Sequence, residues 1–247
     1  MKHIKFFEQK ALYESYISNS PKLPNVSYTV DTNQVFYNLF IIDTPQVYEW
    51  VDLGLPSGLK WADRNIGAIK PEDYGLYFAW GETEGYNGIT ADKQFSWEDY
   101  KWCNGSNTTL IKYNTNSSYG TVDNLTNLEQ VDDAAYASDN TYRMPTKSDL
   151  QELIDNTTFT WETLNGVNGG RFTGTNGNSI FIPAAGFCSW GEVEDAGSWV
   201  FLWSSSLYDS WNGWNLHFDS CEDYDSGGMF INPGDRSSGN SVRAVKE

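Results

Sequence analysis

Trp214-Asn215-Leu216-His217-Phe218-Asp219 sets apolar and polar residues in strict alternation, and that period of two decides the reading of the fold. A strand with this pattern has one apolar and one polar face, so it lies half-buried at the surface of a β-domain. Downstream, a polar loop leads to Met229, then to Phe230-Ile231-Asn232-Pro233-Gly234-Asp235 and Arg236. The chain closes on Ser241-Val242-Arg243-Ala244-Val245, a short strand with β-branched residues. Trp203, Trp214, Leu216, Phe218, Met229 and Val242 are expected in the core. Asn215, His217 and Asp219 are expected to point away from it. The pattern describes a rigid frame carrying a replaceable surface.

Upstream of this stretch, Thr146 is placed to cap a helix, with Asp149 at the third position and Leu150, Leu153 and Ile154 as its buried stripe. Phe159–Leu164, Gly170–Thr173 and Ser179–Ile182 read as strands, the last two joined by a tight turn at Asn176-Gly177. Between Gly85 and Asp139 the sequence is irregular. Phe95, Trp97, Tyr100 and Trp102 are the rings available to pin that loop region, and a short helix is expected around 132–137. Tyr48 to Ala62 gives two aromatic-bearing strands joined by a Pro56-Ser57-Gly58 turn. Residues 1–46 stand apart from this main domain, 47–247. Phe7, Ala11, Leu12, Tyr16 and Ile17 predict a short amphipathic helix ended by Asn19-Ser20-Pro21. Val26–Val30 and Val35–Tyr37 predict a hairpin. A helix and one hairpin make a marginal unit. It is read as an attachment or oligomerisation element, with an accessory hairpin packed on the main domain as the alternative.

The 247 residues have room for one large domain or two smaller ones, and they include 11 Trp, 15 Tyr, 13 Phe and 22 Gly. So many rings and glycines favour β-rich, loop-rich structure over a helical bundle. The net charge of -17 argues against nucleic acid and anionic membranes as partners, because binding phosphate takes clustered Lys and Arg. Cys103, Cys188 and Cys221 show neither disulfide-framework nor zinc spacing, and a Cys188–Cys221 pair stays open. The segment from Met1 to Lys10 has no signal-peptide pattern, and no apolar run approaches the ~20 residues of a membrane span. A protein acting outside the cell would then leave by another route, such as assembly into a virion.

Several stretches carry a resemblance. Asn65-Ile66-Gly67-Ala68 and Tyr74 to Thr83 are similar to the most recognisable signature of the Fibrobacter-type major paralogous domain. So are Leu202 to Ser206, Trp214 to Phe218 and Gly239 to Arg243. That family has a C-type-lectin-like fold, and the likeness runs from about Tyr48 to the C-terminus. Some members are variable proteins of diversity-generating retroelements, whose scattered Asn codons cannot become Lys, Glu, Gln, Met or Trp. Phe230 to Asp235 contains none of those five types. Met1 to Lys10 with Leu23 to Tyr28 resembles the leader of structural proteins in phages of gut bacteria. Arg143-Met144-Pro145-Thr146 and its helix are also shared by the formylglycine-generating enzymes of the same fold.

Enzyme chemistry is not expected. His3 and His217 are the two histidines, and no Gly-x-Ser-x-Gly elbow accompanies either. Cys188 and Cys221 lack the cysteine pattern of the formylglycine-generating enzymes. The carboxylate pairs Glu82/Glu84 and Glu192/Glu194 read as solvated acidic loops rather than a glycosidase pair. No cofactor is expected. Asp219, Glu222, Asp223 and Asp225 offer oxygen ligands that calcium accepts, but without a ligand spacing. Asn232-Pro233-Gly234-Asp235 and Trp211-Asn212-Gly213 do not match the calcium-dependent sugar motifs of C-type lectins.

The expectation is therefore an α+β protein: a C-type-lectin-like domain with short twisted sheets, one or two helices and long loops, behind a small helix-hairpin element. Its role would be recognition of a bacterial surface protein or glycan by a phage tail-associated virion protein. The N-terminal element would contact other tail proteins or further copies of the chain, without membrane insertion. The expected ligand surface comprises Tyr208, Asp209, Ser210, Asn212, Asn215, His217, Asp219, Tyr224, Phe230, Asn232, Asp235, Ser237 and Ser238, a mixture of rings and short polar groups suited to recognition. The alternatives are a bacterial cell-surface adhesion module of the same family and, behind it, a formylglycine-generating-type enzyme.

Overall fold

A computed structural model describes residues 48–89, 93–220 and 228–247, together with the backbone of three strands near the N-terminus. The chain divides into two compact units, Met1–Gln46 and Val47–Glu247. In the first, β1 (Ile4–Phe7), β2 (Ser27–Tyr28) and β3 (Tyr37–Phe40) form an antiparallel sheet of order β1-β3-β2. The expected hairpin corresponds to β2 and β3, which pair antiparallel. Phe7, expected to open a helix, instead ends a strand and pairs with Tyr37. A third strand relieves the marginal stability of a lone hairpin. Ala11, Leu12, Tyr16 and Ile17 lie outside the described residues.

The second unit is built from short β-sheets with two α-helices among the described residues, so it is α+β with little helix. Strands β4 (Trp50–Asp52) and β5 (Lys60–Ala62) sit on either side of a turn closed by Gly58 N–H donating to the Leu55 carbonyl. They are joined by β16 (Val245–Lys246), so the start and end of this unit share one sheet. Strands β7 (Thr157–Leu164), β8 (Val167–Gly174) and β9 (Ser179–Pro183) form an antiparallel meander. Gly177, at φ +85°, supplies the left-handed residue of its second turn. Strands β10 (Phe187–Ser189) and β11 (Glu192–Glu194) make a separate hairpin.

The largest sheet has the order β14-β13-β12-β15-β6, with β6 (Tyr77–Phe78), β12 (Trp199–Leu207), β13 (Asn212–Asp219), β14 (Phe230–Asp235) and β15 (Asn240–Ser241). Its β12–β15 pair is parallel and the other pairs are antiparallel. Helix α1 (Ala134–Ser138) begins at Asp133, whose carboxylate accepts from Ala135 N and Tyr136 N. Helix α2 (Lys147–Asn156) opens with the expected capping box, in which Asp149 N donates to Thr146 Oγ1 and Thr146 N to the Asp149 carboxylate.

Two apolar layers sandwich the central strands β12 and β13. Val200, Leu202, Leu216 and Phe218 face one way, onto Leu150 and Leu153 of α2, Phe172 of β8, and Ile180 and Ile182 of β9. Phe218 meets Phe159 edge-on at 5.1 Å and Phe172 at 5.4 Å, an arrangement that ring quadrupoles favour. On the opposite face Trp203 is buried against Phe78, Trp80 and Tyr113, and its indole N–H donates to the Phe78 carbonyl. This second layer covers only the Trp203 end of the face. Two residues expected in the core, Trp214 and Met229, are half-buried. Trp214 sits where the sheet reaches the surface, with Lys147 Nζ 3.5 Å from its ring centroid. Among the described residues, no helix is long and apolar enough to cross a membrane.

Candidate functional site

Strand pairing places Phe201 opposite His217, Trp203 opposite Asn215, His217 opposite Phe230 and Asn215 opposite Asn232. Because side chains alternate along a strand, these residues share the face that the first apolar layer does not use. Trp203 closes one end of that face. Beyond it the face opens, and β10 supplies Phe187, whose ring lies 4.9 Å from that of Phe201. The result is a cleft of about 370 Å³ whose lining includes Phe187, Phe201, His217, Asn215, Gly234 and Asp235.

The floor of the cleft is its most informative part. Asn215 is 2% exposed, and its side-chain oxygen is buried without a hydrogen-bond partner. An unpaired buried acceptor costs roughly 1–3 kcal/mol, and native structures tolerate few of them. Gly234 lies against this amide so closely that a Cβ there would come 2.3 Å from Asn215 Nδ2. Any other residue there would force the amide to move.

His217 forms part of the wall. Its ring is 5.6 Å from Phe201, 5.7 Å from Trp199 and 5.5 Å from Phe230, and Asn232 Nδ2 is 3.4 Å from Nε2. Burial among these rings holds its pKa below the ordinary imidazole value, and the nearby Asp219 carboxylate offsets part of that shift. Near neutral pH the ring is therefore uncharged, offering one donor and one acceptor. Asp235, at the rim, accepts from Trp97 Nε1 at 3.0 Å and from the Ser237 N–H and hydroxyl at 2.8 Å.

The thirteen residues expected to form one surface are divided. Asn215, His217, Asp235 and Ser238 line the cleft, and Phe230 and Asn232 stand against His217. Tyr208, Asp209 and Ser210 belong instead to the β12–β13 turn, and Asn212 opens β13 beside them. There the Asp209 carboxylate accepts from Trp211 N, Asn212 N and Asn212 Nδ2, while Tyr208 packs on Trp214 with ring centroids 4.7 Å apart. Trp214 points to the opposite face from Asn215, so the Tyr208 group forms a second patch. Four residues expected to point outward are buried: Ser210, Asn215, Asp219 and Ser237. Ser210 donates to Asn114 Oδ1 and Ser237 to Asp235. The alternation identified the face correctly but could not reveal that part of it is covered by the second apolar layer. Tyr224 lies outside the described residues.

Phe187, Phe201 and Trp199 were missed. In Trp199-Val200-Phe201-Leu202-Trp203 every residue is apolar, so no period separates the two faces. An unbroken apolar run beside a clearly alternating strand was the available signal that the sheet carries rings on both sides.

Other chemistry-bearing groups are occupied. Glu82 is buried in an ion pair with Lys93 at 2.9 Å, whereas Glu192 and Glu194 are exposed on β11. Cys103 and Cys188 are free and buried, and burial pushes the Cys188 thiol up to about 12, far from a reactive thiolate. Cys221, with Glu222, Asp223 and Asp225 of the acidic cluster, lies outside the described residues. Among the described residues no group of three or more His, Cys, Asp or Glu is arranged to hold a metal ion. Comparison of the chain with family models, curated proteins and solved structures gave no match in any of the three.

Proposed function

We propose that Val47–Glu247 is a lectin-like recognition domain that binds a bacterial surface protein or glycan, carried on a phage or prophage tail-associated virion protein. The single observation behind the recognition reading is the ring-walled cleft over Asn215, whose buried oxygen lacks a partner. A fold that keeps an unsatisfied acceptor sealed beneath an open cleft gives up stability there, and an amide turned toward a ligand donor recovers it. The tail location and the diversifying retroelement are supported by the sequence resemblances of the leader and of the C-terminal motifs. Several copies on one tail would convert weak single contacts into firm attachment.

The test uses the fluorescently labelled full-length chain on a panel of gut bacterial isolates, read by flow cytometry. Some isolates are expected to be stained, and His217→Ala is expected to reduce that staining without lowering the yield of folded protein. Absence of staining across the panel would remove the recognition reading. Immunogold labelling separates the two carriers: signal on phage tails supports the virion, and signal on the bacterial envelope points to the adhesion module.

A further inference from the structure

Resting on the recognition reading above, we infer that the cleft between β10 and the β12–β14 face takes a neutral sugar ring without the help of a metal ion.

A pyranose has an apolar C–H face and an equatorial belt of hydroxyls, and the cleft offers a counterpart to each. Phe187 and Phe201, with ring centroids 4.9 Å apart at 63°, present an apolar wall. Asn215 lines the floor, and turning its amide toward the cleft brings the sealed, unpartnered oxygen to a sugar hydroxyl that supplies the missing donor. His217 adds a neutral imidazole beside the wall. The volume of about 370 Å³ falls at the small end of ligand sites, suited to one or two sugar rings rather than an extended chain.

Charge and topology narrow the class further. Asp235 at the rim is an exposed carboxylate in a chain of net charge -17, so an anionic sugar or a phosphate is repelled. A peptide strand is captured through the backbone ladder of a sheet edge. This cleft lies on the face of the sheet, where rings and an amide replace the ladder. The edge strand β14 itself carries Pro233, which has no N–H to donate.

The experiment is saturation-transfer NMR on the full-length chain with methyl mannoside, methyl glucoside, methyl galactoside and methyl N-acetylglucosaminide, each at millimolar concentration, with methyl glucuronide as the anionic counter-probe. At least one neutral glycoside is expected to bind in the presence of EDTA, and the glucuronide is not. Asn215→Leu and Phe187→Ala are each expected to weaken that binding about tenfold or more. Because the Asn215 oxygen has no partner to lose, Asn215→Leu is expected to keep or raise the melting temperature while abolishing the sugar signal. The inference is overturned if no neutral glycoside binds, if binding needs calcium, if only the glucuronide binds, or if both variants bind as the parent does. The stained isolates of the previous subsection keep the two readings apart. Staining that survives periodate and excess free glycoside leaves recognition standing and removes the sugar. No staining at all removes recognition, whatever the NMR shows.

Discussion

Arg236 and Arg243 are fully buried, yet neither is hydrogen-bonded to a carboxylate among the described residues. Arg236 donates to the carbonyls of Tyr113, Ser210 and Lys112 and to the Tyr100 hydroxyl, with its guanidinium 5.1 Å from the Trp80 ring centroid. It therefore ties the loop region around Tyr100 and Tyr113 to the β12–β13 turn at Ser210. Arg243 does the same for Asn65, Ala62 and Phe181. Arg236→Met would leave those carbonyls unpaired, and urea denaturation is expected to show a loss of about 3 kcal/mol or more. His217 sets a pH dependence whose sign follows from burial. Its folded pKa lies below the unfolded value of about 6.5, so between the two the unfolded chain binds more protons. The neutral imidazole thus gives full stability above that window, and stability falls as pH drops through it. Denaturation midpoints measured from pH 7.5 to about 5 are expected to decline, and His217→Gln is expected to flatten part of the decline. An unchanged slope in the variant would place the titrating group elsewhere.

At the scale of elements, α2 and its cap were legible because every determinant is local. Thr146, Asp149, Leu150 and Leu153 fall within about two turns of helix, and the capping box forms as their spacing requires. Arg143 extends the same cap, donating to Asp149 Oδ2 at 2.6 Å and to Glu247. Thr146→Ala removes the hydroxyl that accepts from Asp149 N, and the expected cost is about 1 kcal/mol in chemical denaturation with an unchanged slope. The β8–β9 turn was equally readable, since Asn176-Gly177 supplies the left-handed residue that a tight hairpin needs. Strand β13 was legible only by half. Its alternation fixed which residues share a face but not that Asn215 and Asp219 on that face are buried. The first half of strand β12 had no readable face, because Trp199 to Trp203 is apolar at every position.

At the scale of the whole molecule, the division at Gln46 and Val47 separates a small unit with three described strands from a domain with its own buried clusters. A chain starting at Val47 is expected to melt within about 3 °C of the full-length protein, because the second unit holds its core within itself. If residues 1–46 act in attachment or oligomerisation, light scattering is expected to give a multimer for the full chain and a monomer for the shortened one. Equal masses for the two would leave the N-terminal unit without that role.

By itself the sequence determined the local pieces: the cap at Thr146, the turn at Gly177, the alternating face of β13 and the β-rich, helix-poor composition of the second unit. Each depends on residues a few positions apart, where backbone sterics, hydrogen bonding and side-chain period act directly. Only the tertiary structure decided that Phe187 of β10 stands against Phe201 of β12, that Trp203 and Trp80 cover one end of the polar face, and that Asn215 lies at the floor of a cleft without a partner. Those facts come from segments a dozen to more than a hundred residues apart, brought together by strand pairing and core packing. Such contacts have no signature in the spacing of neighbouring residues, since burial depends on what covers a face and not on the face alone.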